Sequence, residues 1–178
     1  MLTGDKIRLR ALEPADLDIL YNWENNTENW PVTNTFIPFS KDTLKQYIGT
    51  VKDIYADKQY RFVIETVADN KAVGLIDFFE FEPFHLRAGI GILIAKPEDR
   101  EKGYASESLK LAARYAKDTL GLKMLFCNVT AGNEKSLLLF NGIHFPITWD
   151  KLGAEIEFKQ IETYQQYEFG DVKVTPFT

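Results

Sequence analysis

A single cysteine, Cys127, stands in this chain of 178 residues, so no internal disulfide can form. Two histidines, His85 and His144, lie far apart, which leaves no His/Cys spacing for a metal cluster, and no metal is expected. No run reaches the ~20 apolar residues of a membrane span. The opening Met1-Leu2-Thr3-Gly4-Asp5 lacks the basic-then-apolar order of a secretory leader, so a cytoplasmic location and no membrane partner are expected. Nor is there a long basic stripe: 21 Lys and Arg face 26 Asp and Glu, a net charge of -5, which argues against a nucleic-acid partner. An acidic balance of this kind attracts small cations, although it also serves solubility alone. What the chain does have is 45% hydrophobic and 13% aromatic residues, enough for one substantial core. With no repeat, low-complexity tract or linker, one domain is expected over 1–178, its core spanning about 5–168 and residues 169–178 forming a tail.

Alternation in Lys6-Ile7-Arg8-Leu9-Arg10-Ala11-Leu12 predicts a half-buried strand. Pro14 near a helix start, then Leu17, Ile19, Leu20 and Trp23 at helical spacing, predicts a helix over about 14–24. Asn25 to Pro38 is rich in turn formers and aromatics and reads as a loop of the kind that covers or binds something. Ser40 opens a second helix whose stripe Leu44, Tyr47, Ile48, Val51, Ile54 and Tyr55 carries it to near Asp57. Strands follow at 61–65, 72–79 and 88–95, the first two joined by the turn Asp69-Asn70-Lys71. A long helix is expected from Tyr104 to Leu120, stopped by Gly121, with Ala105, Leu109, Ala112 and Ala116 inward. Met124 to Val129 reads as a buried strand holding Cys127 in the core, Glu134 to Phe140 as a short helix, and Phe145 to Trp149 and part of Glu155 to Tyr167 as closing strands. Only the stretch from 88–95 through 124–129 resembles a right-handed βαβ crossover. The fold expected is therefore α+β: a mixed, mostly antiparallel sheet of about six or seven strands flanked by about four helices.

Chemistry concentrates in Arg100-Glu101-Lys102-Gly103-Tyr104-Ala105-Ser106-Glu107, where a strand's end feeds a helix N-terminus. The first N–H groups of a helix lack partners and, with the helix dipole, attract phosphate groups. Gly103 allows close backbone approach, and Arg100 and Lys102 add positive charge. A charged loop that merely starts a helix would look similar. No Walker string exists, and Gly89-Ile90-Gly91 lacks the third glycine of a dinucleotide fingerprint and lies within a strand.

Arg100-x-x-Gly103-x-Ala105 resembles the pyrophosphate-loop signature of the GNAT superfamily of N-acetyltransferases. Arg87-Ala88-Gly89-Ile90-Gly91-Ile92 resembles that family's strand before the loop, and Asn133-Glu134-Lys135-Ser136 its second coenzyme-contacting motif, in matching order and spacing. The opening, Ile7-Arg8-Leu9-Arg10 with Asp16 and Trp23, is similar to the ribosomal-protein N-terminal and spermidine acetyltransferase branch. The resemblance covers roughly residues 5–145. It implies acetyl-CoA as co-substrate, a sheet splayed between strands 88–95 and 124–129, and transfer of acetyl to a primary amine. Ile92, Leu93 and Ile94 would pair with the pantetheine arm as an added strand. Arg100, Lys102, Gly103, Tyr104, Ala105 and Ser106 would hold the pyrophosphate, and Asn133, Ser136 and Phe140 would contact the arm. Asn133 before Glu134 also reads as a helix N-cap.

Direct transfer needs a neutral amine, a route for its proton, a donor for the oxyanion and a proton for the thiolate. Deprotonating an alkylamine at neutral pH costs roughly 4 to 5 kcal/mol at the lysine reference value. The N–H of Ile92 is the candidate oxyanion donor. Proton acceptors are sought among Asp77, Glu80, Glu82 and His85, although in a regular strand Asp77 and Phe79 share one face while Glu80 and Glu82 share the other. Related enzymes protonate the thiolate with a tyrosine where this chain has Phe140, which cannot donate and also reads as a core aromatic. Tyr104, His144, Tyr164 or a water remain as substitutes. Glu24, Trp30, Glu82 and His85 are the candidate acceptor-binding residues. Acidic charge and the aromatic loop from Trp30 to Phe39 favour a small polyamine such as spermidine. A protein N-terminus is the alternative acceptor, and a coenzyme-binding protein without catalysis the alternative class. A homodimer is plausible from the resemblance.

Overall fold

The computed structural model describes residues 2–33, 35–130, 133–142 and 164–168. Within these, seven strands form one sheet in chain order, β1 (Leu2–Thr3), β2 (Ile7–Ala11), β3 (Tyr60–Thr66), β4 (Ala72–Glu82), β5 (Arg87–Ile94), β6 (Met124–Thr130) and β7 (Tyr164–Glu168). Every neighbouring pair is antiparallel except β5 and β6, which α5 (Tyr104–Asp118) joins as a parallel crossover. The other helices are α1 (Leu17–Glu24), α2 (Trp30–Thr33), α3 (Lys41–Gly49), α4 (Ile54–Asp57) and α6 (Glu134–Gly142). Two of these six helices, the single turns α2 and α4, go beyond the expected four.

The helix expected to run from Ser40 to Asp57 breaks into α3 and α4. Ser40 caps α3 by accepting from the Thr43 N–H, but Thr50 turns extended, Val51 is 88% exposed, and Asp53 caps a new turn through the Tyr55 N–H. β-Branched Thr50 and Val51 after Gly49 form a weak helical stretch that no packing rescues. The loop read over 25–38 likewise contains α2. Phe145 to Trp149 and His144 lie outside the described residues.

The core is a layer between α5 and the sheet. The largest wholly buried side chains include Phe78, Phe81, Ile7, Leu9, Ile64, Ile76 and Leu109, with Ala112 and Ala116 letting α5 settle closely on the strands. Leu20, Trp23 and Leu44, with Leu75 and Val63, pack α1 and α3 on the opposite face. One charged network ties β2, β3 and the turn before α1 together. Arg10 holds Asp16 with two hydrogen bonds of 2.7 and 2.8 Å, and Glu65 accepts from both Arg8 and Arg10.

Two irregularities in the sheet matter for function. β5 pairs with β6 only from Arg87 to Gly89, opposite Met124 to Phe126, and the strands then part. Beyond that point Ala95 donates to the Val73 carbonyl, so by alternation the odd-numbered residues of β5 face β4 and those of Ile90, Ile92 and Ile94 face the open edge. The second irregularity is in β4. Between Phe79 and Glu82 that strand carries one residue more than β5 does between Gly89 and Arg87, and Glu80 adopts φ 47 to absorb it. Phe78 and Phe81 therefore both face the core.

Candidate active site

Two cavities meet on β5. The first, of about 1180 Å³, lies between the sheet and the segments around α2 and α3, its wall including Glu24, Tyr47, Arg61, Asp77, Phe79 and Glu80. The second, of about 510 Å³, runs from the open edge of β5 to the start of α5, lined by Ile94, Arg100, Gly103, Tyr104, Ala105, Ser106, Asn133 and Ser136. Ile92 and Leu93 belong to both walls.

The second cavity has the chemistry of an anion-ended arm site. Gly103 stands at φ 84, the left-handed region that an L side chain resists, and so turns the chain into α5. Among the described residues, the N–H groups of Gly103, Tyr104, Ala105 and Ser106 donate to nothing. Arg100 reaches back to the Ile94 carbonyl at 3.1 Å and so places its charge at the end of β5. Across the opening, the Asn133 side chain accepts from the Ser136 N–H at 3.1 Å. Asn133 is thus the cap of α6 and a cavity wall at once. The open edge and the unpartnered N–H row fit a coenzyme with an amide arm and a pyrophosphate.

Lys102 and Phe140, both expected at the coenzyme, do not line this cavity. Lys102 is exposed outside this cavity, its ammonium 3.4 Å from Asp99. Phe140 is 5% exposed in the α5 core, because its turn of α6 faces inward, and it does not line the cavity.

The first cavity is acidic, with three carboxylates against one guanidinium. Arg61 donates to both oxygens of Asp77, at 2.7 and 2.9 Å, and to Glu24. Burial works against the Arg61 charge, but Asp77 and, behind it, Glu24 outweigh burial and hold the guanidinium more firmly protonated. Asp77, expected among the proton acceptors, has both carboxylate oxygens engaged by Arg61. The Glu80 side chain makes no hydrogen bond or ion pair among the described residues, and the bulge puts it in the same cavity as Asp77 and Phe79. The expectation that a strand must separate Asp77 from Glu80 fails because the strand is bulged at that point.

The remaining candidates lie elsewhere. Trp30 lines neither cavity; its indole N–H donates to the Glu24 carbonyl at 2.8 Å and braces the loop after α1. Glu82 pairs with Arg87 at 2.9 Å and stands 3.8 Å from His85, beyond the bulge and away from both cavities. Tyr164 opens β7, the strand paired with β6. Two residues that the sequence pattern had placed elsewhere line the first cavity: Arg61, taken only as the start of a strand, and Tyr47, taken as part of an apolar stripe. Burial chiefly pushes the Tyr47 phenol up, so it stays a proton donor at neutral pH. The alternation of charge with Phe62 and Ile64 put Arg61 off the core face, and that was the available signal.

Known proteins resemble this chain in sequence and in fold. The family model described as the acetyltransferase (GNAT) domain matches residues 6–145. A spermidine N(1)-acetyltransferase of Vibrio cholerae is 30% identical over 142 residues, 80% of either chain. The human alpha/beta-tubulin-N-acetyltransferase 9 is 34% identical over 143 residues, 78% of this chain and 59% of that one. Among solved structures, the Vibrio cholerae spermidine N-acetyltransferase in complex with CoA and spermine superposes with a TM-score of 0.70 at 27% identity, covering 93% of this chain and 94% of the other.

Proposed function

The chain belongs to the GNAT acetyltransferase family and is an N-acetyltransferase, and from that premise we propose that it acetylates a small polyamine of the spermidine type in the cytoplasm. The observation that carries the reading is the sharing of Ile92 and Leu93 by an acidic cavity and by the cleft that ends on unpartnered helix N–H groups. An amine in the first and a thioester in the second would meet at that seam.

Acetyl-CoA supplies the activated acyl group and a thiolate leaving group; the residues of the chain bind, orient and manage charge. The N–H of Ile92 faces the open edge beside the seam, where it would donate to the oxygen that gains charge on attack. Gly103, Tyr104, Ala105 and Ser106 would hold the pyrophosphate through backbone N–H groups, with Arg100 adding charge. Glu80, the unpaired carboxylate of the acidic cavity, would anchor an ammonium group and accept the proton of the attacking nitrogen directly or through water. Arg61 keeps Asp77 and Glu24 in place, so the cavity stays acidic without three mutually repelling free carboxylates. Tyr47, protonated and in the same cavity, is a candidate donor to the departing thiolate in place of the tyrosine that Phe140 replaces.

The test is release of free thiol from acetyl-CoA with spermidine, spermine, simple diamines, aminoglycosides and short peptides with free N-termini. Turnover with the polyamines is expected. Turnover with the peptides alone would move the acceptor to a protein N-terminus, and coenzyme binding with no turnover on any amine would refute catalysis.

A further inference from the structure

We propose that the N-terminal turn of the chain is a brace that sets the anion-binding loop before any coenzyme arrives, with Glu107 and Lys6 as its positioning residues. The inference rests on the coenzyme reading of the second cavity.

Three backbone N–H groups of one tight turn, those of Asp5, Lys6 and Ile7, converge on the Glu107 carboxylate, the Lys6 and Ile7 bonds at 3.0 and 3.2 Å. The turn is shaped around that carboxylate: a Cβ on Gly4 would collide with its oxygen, so a larger residue there would push the Glu107 carboxylate aside. The turn then aims the Lys6 side chain at the loop. Its ammonium donates to the Lys102 carbonyl at 3.0 Å and lies 3.2 Å from where a Cβ on Gly103 would sit. In a trans peptide the C=O and the next N–H point in opposite directions. Pinning the Lys102 carbonyl on Lys6 therefore sends the Gly103 N–H away from Lys6 and fixes the peptide whose neighbour, Gly103, forms part of the cavity wall. Glu107 alone would bring a negative charge into the first turn of α5, where a pyrophosphate is to bind. Its three N–H partners and the Lys6 ammonium offset that charge. Glu107, the turn, Lys6 and the loop thus act in series, and a break anywhere should release the same loop.

The experiment measures binding of coenzyme A by calorimetry and of S-acetylpantetheine, which has the arm without the pyrophosphate, by NMR titration. Wild-type protein is compared with Lys6→Met, Lys6→Arg, Glu107→Gln and the double variant Lys6→Met/Glu107→Gln. Losing one charge-assisted bond is expected to weaken coenzyme A about tenfold in Lys6→Met while S-acetylpantetheine binding is unchanged. Lys6→Arg should recover most of the loss, and the double variant should bind coenzyme A about as weakly as Lys6→Met alone, because the two residues act in series. Unchanged coenzyme A affinity in Lys6→Met, or equal weakening of both ligands, would overturn the brace. A wild-type chain that binds no coenzyme A would instead overturn the reading of the cavity itself, a result visible before any variant is compared.

Discussion

Replacing Arg61 with Met removes the one guanidinium that holds two carboxylates in the acidic cavity. Asp77 loses two hydrogen bonds, at 2.7 and 2.9 Å, and Glu24 loses its ion pair. The cost of each loss depends on whether the carboxylate can reach water. The Glu24 side chain is only 9% exposed and cannot rehydrate in place, whereas Asp77 is 31% exposed and can do so in part. Stripping one partner from a fully buried pair costs ~3–5 kcal/mol, and an exposed pair contributes ~0–1 kcal/mol. Glu24 lies near the first limit and Asp77 between the two, so a loss of about 3 kcal/mol is expected. For a chain of this length that is a fall in Tm of about 6–12 °C. The assay is thermal and urea unfolding of both proteins, with an unchanged urea m-value as the check that only stability has moved. A double-mutant cycle sharpens it. Asp77→Asn should be costly in the wild-type background and nearly neutral in the Arg61→Met background, a coupling of about 1–2 kcal/mol. A melt within about 2 °C of wild type, or strict additivity in the cycle, would refute the claim that Arg61 organises this cavity.

Acid should weaken the fold through a second cluster. Burial pushes the carboxyls of Asp16 and Glu65 up, but hydrogen bonds and charge from Arg10, joined by Arg8 at Glu65, outweigh it and hold both below their ordinary values of 3.8 and 4.5. Folded values below the unfolded ones mean that this stabilisation is complete above those ordinary values and is lost as pH falls through the depressed range. Melts from pH 7 to pH 3 should show it, and Arg10→Met should flatten the decline. In the catalytic assay, Glu80→Gln should raise KM for diamines about tenfold, the loss of one ammonium–carboxylate contact, and should lower kcat as well. Equal KM values for both proteins would remove Glu80 from acceptor binding.

Much of the fold was legible because its signals are local. Alternation marked Ile7 and Leu9, helical spacing marked Leu109, Ala112 and Ala116, and the Arg100–Gly103 loop between a strand and a helix marked a wall of the second cavity. Each depends on residues a few positions apart. Helix length was less legible: the apolar spacing of Tyr47, Ile48 and Val51 suggested continuity, while the β-branched pair Thr50 and Val51 broke it where no core partner was available. For Phe140 the sequence left two readings, a coenzyme contact and a core aromatic, because a motif position does not say which way a helix turn faces; its side chain is buried in the core.

By itself, then, the sequence determined the main strands and helices from β2 to α6, the core faces and the glycine at the start of α5, since these follow from side-chain periodicity and backbone sterics. The tertiary structure alone decided that Arg61 pairs with both Asp77 and Glu24, that Glu80 shares their cavity, and that Lys6 reaches Lys102. Arg61 lies 16 residues from Asp77 and 37 from Glu24, and Lys6 lies 96 from Lys102. One bulged residue reverses the facing of everything after it on β4. Neither long-range pairing nor a local break in strand parity leaves a periodic trace, because both are fixed only when strands and helices pack against one another.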